Sequence, residues 1–453
     1  MTTPNPTYDV IVIGAGLSGL MAARRLTEQG KRVLVLEAHT EVGGRTRTTQ
    51  VNGISFDIGG QWTGPGQPRV NALIDEYGLN TLKTHVSGKR VMSLKKQVST
   101  YSGTIPRLGL WKLLRAQWGI WKIEKLCKEV SRSHPWQHPK AHEWDGMTAS
   151  DWARRHIVNP DVISLVNAAT RVVFGQDLDE LSFLYFLYYF RSGGGFTKLV
   201  ESHEGNQDRR IVGGAQQLSR RLAANLPHVQ TSTVAQHIAQ EKDSVTVHAE
   251  NGRFNALRVI VAIPLPMADR LQYSPPVPTL RDQLTQRCSM GATVKVLALY
   301  AQAFWRDANL SGEAVCTDGP VSVAFDNTSE SGQPCLVAFV TGKPARGWAE
   351  KPSAERREAV LENLVRFFGE QARKPSHYLE QDWATEPFIG GAPTANFPPG
   401  TLSVFGPALR APFHRIHWAG TETARESTGF MEGALESGER AAEEVLQALQ
   451  PEH

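Results

Sequence analysis

Cysteine and long apolar runs are both scarce in this 453-residue chain. The four cysteines form no Cys-x-x-Cys pair and no metal-ligand spacing, and a chain of this length needs no disulfide framework. No window approaches the roughly 18 consecutive apolar residues that a membrane-spanning helix requires. Residues 1–6 lack the basic segment and apolar core of a secretory signal. These absences predict a cytoplasmic protein without a transmembrane segment.

A strong charge of one sign is also lacking. Lys and Arg number 49 and Asp and Glu number 45, which gives a net charge of +4 without a long basic run. So mild an excess does not predict nucleic-acid binding. The Gly-x-Ser-x-Gly, His-Glu-x-x-His and P-loop motifs do not occur, and the 14 histidines are scattered. Hydrolase, metal-site and nucleoside-triphosphatase functions therefore have no support in the sequence.

The most informative stretch lies at the start of the chain. An apolar run at 10–13 predicts a buried strand, and Gly14, Gly16 and Gly19 follow at Gly-x-Gly-x-x-Gly spacing before a helical pattern. In such a turn the first glycine allows the tight bend, the second lets a pyrophosphate approach, and the third lets helix pack on strand. A second strand ends at Glu37, about 20 residues on, where a carboxylate binds a ribose hydroxyl. This order predicts an α/β dinucleotide site for FAD or NAD, since Glu37 would repel the extra phosphate of NADP.

A glycine-rich loop at 41–47 follows this second strand directly. Gly43 and Gly44 let the backbone approach a ligand, and Arg45 is placed to neutralise a phosphate. The alternative is a glycine loop with a solvated arginine. With Thr46, this Gly-Gly-Arg-Thr segment resembles that of the FAD-dependent amine oxidase family, whose members include monoamine, polyamine and L-amino-acid oxidases, and NAD dehydrogenases lack it.

The resemblance implies an α/β fold with a Rossmann-type FAD-binding domain and a discontinuous α+β substrate domain, as in two-domain flavoproteins related to glutathione reductase. We expect the FAD-binding domain at 1–75, 206–265 and 395–453, and the substrate domain at 76–205, which is mostly helical, and at 266–394. A second family signature lies at 418–434, where a strand-to-helix turn aims N–H groups at the flavin. Gly429, Gly433 and Ser437 form a stripe of small residues that allows close helix packing.

The FAD contacts that the resemblance implies are spread over the whole chain. They are Gly14, Gly16, Leu17, Ser18, Gly19, Glu37, Ala38, Gly44, Arg45, Gly59, Gly60, Gln61, Trp62, Val234, Gly420, Thr421, Glu422, Gly429, Phe430 and Met431. Animal monoamine oxidases attach the flavin to a cysteine at the position that Ala392 occupies here. Because alanine carries no nucleophile, we predict non-covalent FAD.

Three residues are the catalytic candidates: Lys295, Trp383 and Phe430. Strand alternation puts Lys295 on the same face as Leu297. The residues alone leave open whether this lysine reaches water at a strand end or occupies a polar site. The resemblance implies that it holds a water beside flavin N5 and that Trp383 packs on the isoalloxazine. Phe430 and Pro393 stand where the family has two tyrosines that form an aromatic cage. The expected substrate lining is Val172, Phe174, Leu199, Gln207, Val323 and Pro393.

The implied activity is oxidation of an amine C–N bond to an imine, which hydrolyses to an aldehyde and ammonia or an amine, while O₂ is reduced to H₂O₂. We expect a monoamine with an apolar body as the substrate. A diamine or polyamine oxidase is the first alternative. An L-amino-acid oxidase is less favoured, because Gln61 and Trp62 stand where such enzymes commonly carry an arginine for the substrate carboxylate. A flavin-binding scaffold or sensor is the non-enzymatic alternative, and a homodimer is left open.

Residues from about 68 to 204 read as mostly helical. Within them Trp111, Leu114, Trp118 and Trp121 recur at helical spacing between basic residues, which predicts an amphipathic helix near 108–131. Its apolar face could lie on a membrane surface or pack inside the substrate domain, and the sequence favours packing. A dense aromatic run at 180–190 is typical of a core, and in the family this region lines the substrate cavity.

Overall fold

The computed structural model describes residues 8–103, 110–200 and 205–450. The helices are α1 (Leu17–Glu28), α2 (Pro68–Glu76), α3 (Leu110–Glu129), α4 (Ala141–Asp145), α5 (Ala149–His156), α6 (Pro160–Phe174), α7 (Phe183–Ser192), α8 (Phe196–Val200), α9 (Gln216–Ala224), α10 (Thr279–Arg287), α11 (Phe304–Asp307), α12 (Ser353–Phe368), α13 (Leu402–Phe405) and α14 (Met431–Ala448). The strands are β1 (Tyr8–Ile13), β2 (Val33–Leu36), β3 (Thr48–Val51), β4 (Ile54–Asp57), β5 (Trp62–Thr63), β6 (Thr81–Lys83), β7 (Lys89–Leu94), β8 (Gln97–Tyr101), β9 (Arg209–Ile211), β10 (Val229–Gln230), β11 (Ala235–Gln240), β12 (Val245–Ala249), β13 (Gly252–Val261), β14 (Gln272–Ser274), β15 (Ser289–Met290), β16 (Thr293–Leu299), β17 (Leu310–Cys316), β18 (Val321–Asp326), β19 (Cys335–Thr341), β20 (His377–Asp382), β21 (Ala395–Asn396) and β22 (Ile416–Trp418).

The first large sheet is built around β1. Its order is β10-β2-β1-β13-β12-β11-β14, with β22 also beside β13. β1 runs parallel to β2 and β13, and Ile11 pairs with Leu34 on one side and Val259 on the other. These side chains are fully buried, as expected for a central strand of a parallel sheet. β14 belongs to this sheet through β11, although it lies within the 266–394 segment expected in the substrate domain.

The first and last helices of the described chain cross on this sheet. Ser18 of α1 and Ser437 of α14 are joined by a hydrogen bond of 2.9 Å between their hydroxyls. A Cβ added to Gly438 would lie 2.3 Å from the Ser18 carbonyl oxygen, so only glycine permits this approach. In contrast, a Cβ on Gly433 of the small-residue stripe would meet the Ser427 carbonyl at 2.2 Å, within the turn that precedes α14. Of the small-residue stripe, Ser437 therefore takes part in the helix contact, next to Gly438, whereas Gly433 serves the turn.

The second large sheet has the order β20-β16-β19-β18-β17-β7-β8. All seven residues of β16 are buried, because both faces of the strand are covered. Val294 and Val296 pack with the apolar side of α12. Leu297 packs on the other face with Phe325 and Phe339 of neighbouring strands, and Lys295 shares that face, as strand alternation predicts.

The helical prediction for 68–204 is wrong at 81–101, where the chain forms β6, β7 and β8. β7 pairs with β17, so that Val91 lies beside Ala314. The partner strand is more than two hundred residues away in sequence, and local periodicity carries no information about it. Most of the remainder is helical, and α7 places its aromatic run, 183–190, almost wholly in the core.

The predicted amphipathic helix is present as α3, but its aromatic side chains are not all packed. Ile123 and Cys127 face the core, whereas Leu114, Trp118 and Trp121 are 53%, 39% and 57% exposed. The preferred interpretation, packing inside the substrate domain, is therefore wrong for Trp118 and Trp121. The side chain of Trp111 lies outside the described residues. Across 8–103, 110–200 and 205–450, no helix has the length and apolar character needed to cross a membrane.

Candidate active site

A cavity of about 850 Å³ connects the two ends of the chain with the second sheet. Its walls come from the turn after β1, the end of β2, the loop at 43–46, the residues before β5, α7, β16, β19 and the segments at 388–393 and 420–431. These segments include both glycine signatures and the catalytic candidates. The predicted site residues therefore converge on one cavity.

The glycine turn after β1 has the geometry that a dinucleotide needs. Gly14 has a φ of +102°, and a Cβ on Gly19 would lie 2.0 Å from the Gly14 carbonyl oxygen. A Cβ on Gly16 would meet nothing within 4 Å, because Gly16 opens onto the cavity. No side chain caps the start of α1, so its first N–H groups remain available to a phosphate. The cradle fits the pyrophosphate of FAD.

Glu37 is fixed at the end of β2. Its carboxylate accepts hydrogen bonds from the Ala15 N–H at 2.7 Å and from the His39 N–H at 2.8 Å, and the residue lines the cavity. A carboxylate can accept further bonds, so a ribose hydroxyl can still be bound. The two N–H groups tie the acid to the glycine turn and place it at the dinucleotide end of the cavity.

Arg45 lines the cavity and pairs with Glu422. The guanidinium donates to the carboxylate at 2.6 Å and to the Pro393 carbonyl at 2.8 Å. Burial acts to raise the pKa of Glu422, but Arg45 outweighs it and holds that pKa below its usual value. Glu422 also accepts from the Ala395 N–H at 3.1 Å. The guanidinium of Arg45 thus already has a carboxylate partner, and its contact with a phosphate remains a prediction.

Lys295 lies at a polar site inside the second sheet, rather than at a strand end reaching water. Its side chain is buried, and its Nζ donates to the Gly59 carbonyl at 2.9 Å and to Gln61 Oε1. Burial lowers the pKa of this ammonium from 10.5 to about 7; the nearby Asp57 carboxylate opposes the shift and Arg210 adds to it. Lys295 also lines the cavity. An amine that titrates near neutrality is suited to proton exchange with a water or substrate.

A chain of side-chain hydrogen bonds orients Gln61 toward this lysine. Gln61 Nε2 donates to Asn327 Oδ1 at 3.0 Å, and the same oxygen accepts from Arg210 at 2.6 Å. Because arginine can only donate, Asn327 must present its oxygen, and Gln61 must then present its own oxygen to Lys295. Asn327 and Arg210 were not among the predicted site residues, and no sequence motif marks them.

Aromatic side chains form much of the remaining wall. Trp383 is buried, its indole N–H donates to the Ile58 carbonyl at 2.9 Å, and it lines the cavity. Phe430 lies beside Tyr189 of α7, with 5.9 Å between ring centroids. Tyr189 and Phe339 line the cavity and were missed as individual residues. The aromatic run of α7 identified the region, but not which of its rings reaches the cavity.

Most of the predicted residues line this cavity. They are Gly14, Gly16, Leu17, Ser18, Glu37, Ala38, Gly44, Arg45, Gly59, Gly60, Gln61, Trp62, Val172, Leu199, Gln207, Val234, Lys295, Trp383, Pro393, Gly420, Thr421, Gly429, Phe430 and Met431. Gly19 and Glu422 do not line the cavity. Gly19 allows α1 to pack closely on the glycine turn, and Glu422 holds the guanidinium of Arg45.

Phe174 and Val323 were expected in the substrate lining, but they lie outside it. The Phe174 ring is fully buried in the aromatic core, 4.4 Å between centroids from Tyr189, which stands nearer the cavity. Val323 is on β18, one strand farther from β16 than β19 is, and lies beside Phe339 of β19. In both cases a neighbouring aromatic ring, Tyr189 or Phe339, lines the cavity instead.

Comparisons with known proteins identify the family of the chain. The sequence profile of the family described as "Flavin containing amine oxidoreductase" matches residues 17–446. The chain is 35% identical over 450 residues to the flavin-containing amine oxidase A of Canis lupus familiaris, which covers 98% of this chain and 85% of the relative.

Two solved structures are also similar. Wild-type putrescine oxidase bound to putrescine has a TM-score of 0.94 at 31% identity, covering 97% of this chain and 99% of that one. Cyclohexylamine oxidase from Brevibacterium oxydans IH-35A also has a TM-score of 0.94 at 31% identity, covering 98% and 100%. The predicted family, fold class and FAD cofactor are confirmed: this chain belongs to the flavin-containing amine oxidoreductase family and is an FAD-dependent amine oxidase.

Proposed function

We propose that the enzyme prefers monoamines with an apolar or aromatic body. The observation that supports this is the charge of the cavity wall. Among the described residues that line the cavity, Glu37 is the single carboxylate, and it is tied to the glycine turn at the dinucleotide end. The second ammonium of a diamine would find no opposite charge in the described wall. Burying an unpaired ammonium is costly, so such substrates are disfavoured.

The rest of the described wall suits an apolar substrate. Val172 and Leu199 supply aliphatic surface, and Tyr189, Phe339 and Phe430 supply rings. A ring face near an ammonium contributes about 0.5–2 kcal/mol. The carbon body of the amine would then pack against side chains, while Gln207 offers an amide for orientation.

The residues around Lys295 would manage protons and position. When bound, FAD supplies the oxidising chemistry: it accepts the hydride equivalent from the amine and passes its electrons to O₂. A neutral Lys295 uses both N–H groups on Gly59 and Gln61, which leaves its lone pair for a water in the cavity. Trp383, fixed by Ile58, would provide a rigid aromatic wall for the flavin ring. Ala392 lines the cavity without a nucleophile, which supports non-covalent FAD.

Diamine oxidation is the second candidate, because putrescine oxidase is similar over nearly the whole chain. Competition kinetics would separate the two: phenylethylamine and cyclohexylamine against putrescine and spermidine, at equal concentration in air-saturated buffer. We expect kcat/KM to be at least about tenfold higher for the amines with a single nitrogen, equivalent to about 1.4 kcal/mol. A preference for spermidine or putrescine would contradict the proposal. The non-enzymatic scaffold is not retained, since the chain belongs to an enzyme family.

We also propose a cytoplasmic location, on the state of the cysteines. All four cysteines lie within the described residues, and all are buried free thiols. Unpaired thiols fit a reducing compartment. Cell fractionation with antibody detection would test the location, and recovery from an oxidising compartment would contradict it.

A further inference from the structure

The outer face of α3 carries an apolar surface that no described residue covers. Leu114, Trp118 and Trp121 lie at i, i+4 and i+7, on the side opposite the buried Ile123. Among the described residues, Trp118 and Trp121 are the two tryptophans with strongly exposed side chains. This surface continues to Val158, which is 59% exposed. The preceding residue, Ile157, packs against α3 at Gly119, where an added Cβ would lie 3.0 Å from the Ile157 side chain. This contact brings Val158 next to α3. We call these four residues, Leu114, Trp118, Trp121 and Val158, the α3 patch.

Basic side chains surround the α3 patch. The Lys122 ammonium lies 4.8 Å from the Trp118 ring centroid, and the Lys125 ammonium lies 5.8 Å from that of Trp121. Four further basic side chains nearby are exposed. Arg115 and Lys128 belong to α3, and Arg154 and Arg155 belong to α5, which ends just before Val158.

Three acids lie near the patch, fewer than the six basic side chains. Glu124 accepts from the Thr197 N–H, Asp151 accepts from the Thr148 N–H and lies 3.9 Å from the Arg154 guanidinium, and Glu129 is exposed. The face toward solvent therefore combines tryptophan with excess positive charge.

We propose that the α3 patch docks the enzyme on an anionic lipid bilayer, with α3 lying in the plane of the surface. Tryptophan suits the boundary between headgroups and acyl chains because one end of its ring system is polar and the rest apolar. Flanking lysines and arginines are attracted to anionic headgroups. The alternative occupant, a second copy using the same face, would bring two cationic surfaces together, which electrostatics disfavours.

The α3 patch is also connected to the cavity wall. Glu124 of α3 holds the Thr197 N–H at the start of α8, and Leu199 of the same short helix lines the cavity. Docking would thus place the wall around Leu199 near the bilayer, into which apolar amines partition. This consequence rests on the proposed substrate class, whereas the docking itself does not.

Vesicle flotation of the FAD-loaded enzyme tests the docking without any substrate. Phosphatidylcholine vesicles containing 30% phosphatidylglycerol are compared with pure phosphatidylcholine vesicles at about 0.1 M and 0.5 M salt. We expect binding to the anionic vesicles only, and at least a tenfold loss of binding at the higher salt. Wild-type enzyme that stays unbound, or binds both vesicle types equally, would overturn the proposal.

Two variants locate the binding surface. Trp118→Ala/Trp121→Ala should lose at least tenfold in vesicle partitioning while keeping its flavin spectrum and its turnover of a water-soluble amine. The matched control, Leu280→Ser/Val404→Ser, removes two exposed apolar side chains elsewhere and should bind as wild type does. Equal loss in both variants would overturn the proposal. A wild-type dimer that Trp118→Ala/Trp121→Ala converts to a monomer, without vesicle binding, would identify a second copy as the occupant instead.

Discussion

A buried lysine that titrates near neutrality should leave a measurable signature in the pH dependence of this oxidase. Burial lowers the pKa of Lys295 from 10.5 to about 7. At about 1.36 kcal/mol for each pKa unit, the ammonium is disfavoured by about 5 kcal/mol relative to water. At pH 8 about nine-tenths of the molecules therefore carry the neutral amine, and at pH 6 about nine-tenths carry the ammonium.

The direction of the effect follows from the two hydrogen bonds of Nζ. Gly59 and Gln61 take two N–H groups in either state. The neutral amine then has a lone pair left to accept a proton from the cavity, whereas the ammonium has a third N–H. Reduction of the flavin by the amine should accordingly speed up as pH rises through about 7. Lys295→Met should lower that rate by about 10²–10⁴-fold, the usual range for one acid–base group.

Anaerobic stopped-flow measurement of flavin reduction between pH 5.5 and 9 provides the assay. The ionisation of the amine substrate affects every variant equally, so the ratio of wild-type to variant rates isolates the enzyme group. Lys295→Met has no proton to lose and Lys295→Arg stays charged, so both should lack the step near pH 7. A step near pH 7 that persists in both variants would assign the ionisation to another group and refute the reasoning.

The same pKa also affects stability. Between pH 7 and 10.5 the unfolded chain binds more protons at Lys295 than the folded chain does, so the free energy of unfolding rises with pH across that window. Up to about 5 kcal/mol of this rise belongs to Lys295 and should be absent from Lys295→Met. Urea denaturation of the FAD-loaded enzymes at pH 7 and pH 9 should show about 2 kcal/mol of this rise, and equal pH dependence in the two proteins would contradict it.

Three further outcomes are expected. Acid precipitation should release the yellow flavin into the supernatant, because Ala392 carries no nucleophile; colour retained in the pellet would contradict this. Gly16→Val should weaken FAD binding at least tenfold without lowering the melting temperature of the FAD-free protein, because the valine side chain would enter the open cavity. The control Gly19→Ala should destabilise the fold, because its Cβ would lie 2.0 Å from the Gly14 carbonyl oxygen. The reverse pattern would disprove the role of this turn in binding the pyrophosphate. Asn327→Asp should move the pH step of flavin reduction upward by about one pKa unit, because a carboxylate near Gln61 favours the Lys295 ammonium; an unmoved step would exclude the hydrogen-bond chain.

Local motifs predicted the parts of the site that depend on local backbone geometry. Gly14, Gly16 and Glu37 belong to one strand–turn–helix–strand unit, and the spacing alone indicates their roles. Strand alternation correctly put Lys295 on the face of Leu297, although its role came from the family resemblance. The cavity position of Phe339 depends on which strand neighbours β16, and that pairing joins segments about forty residues apart.

The errors have a common physical origin in long-range packing. Phe174 is apolar and close in sequence to Val172, yet Tyr189 occupies the cavity position in front of it. The ion pair of Arg45 with Glu422, 377 residues along the chain, was likewise not visible in the local sequence, and the phosphate contact of Arg45 stays a prediction. The helical period of α3 was correct, but a helix with apolar residues on two faces does not reveal which face is buried.

The crossing of α1 and α14 has a consequence for how the enzyme is made. β1 and α1 leave the ribosome well before β22 and α14, which lie about 400 residues farther along the chain. Until α14 is made, α1 can pack only on the strands and on α9, and Ser18 lacks the Ser437 hydroxyl. Residues 420, 421, 429, 430, 431 and 434 line the cavity, so the complete flavin site cannot form until this late part of the chain has been synthesised.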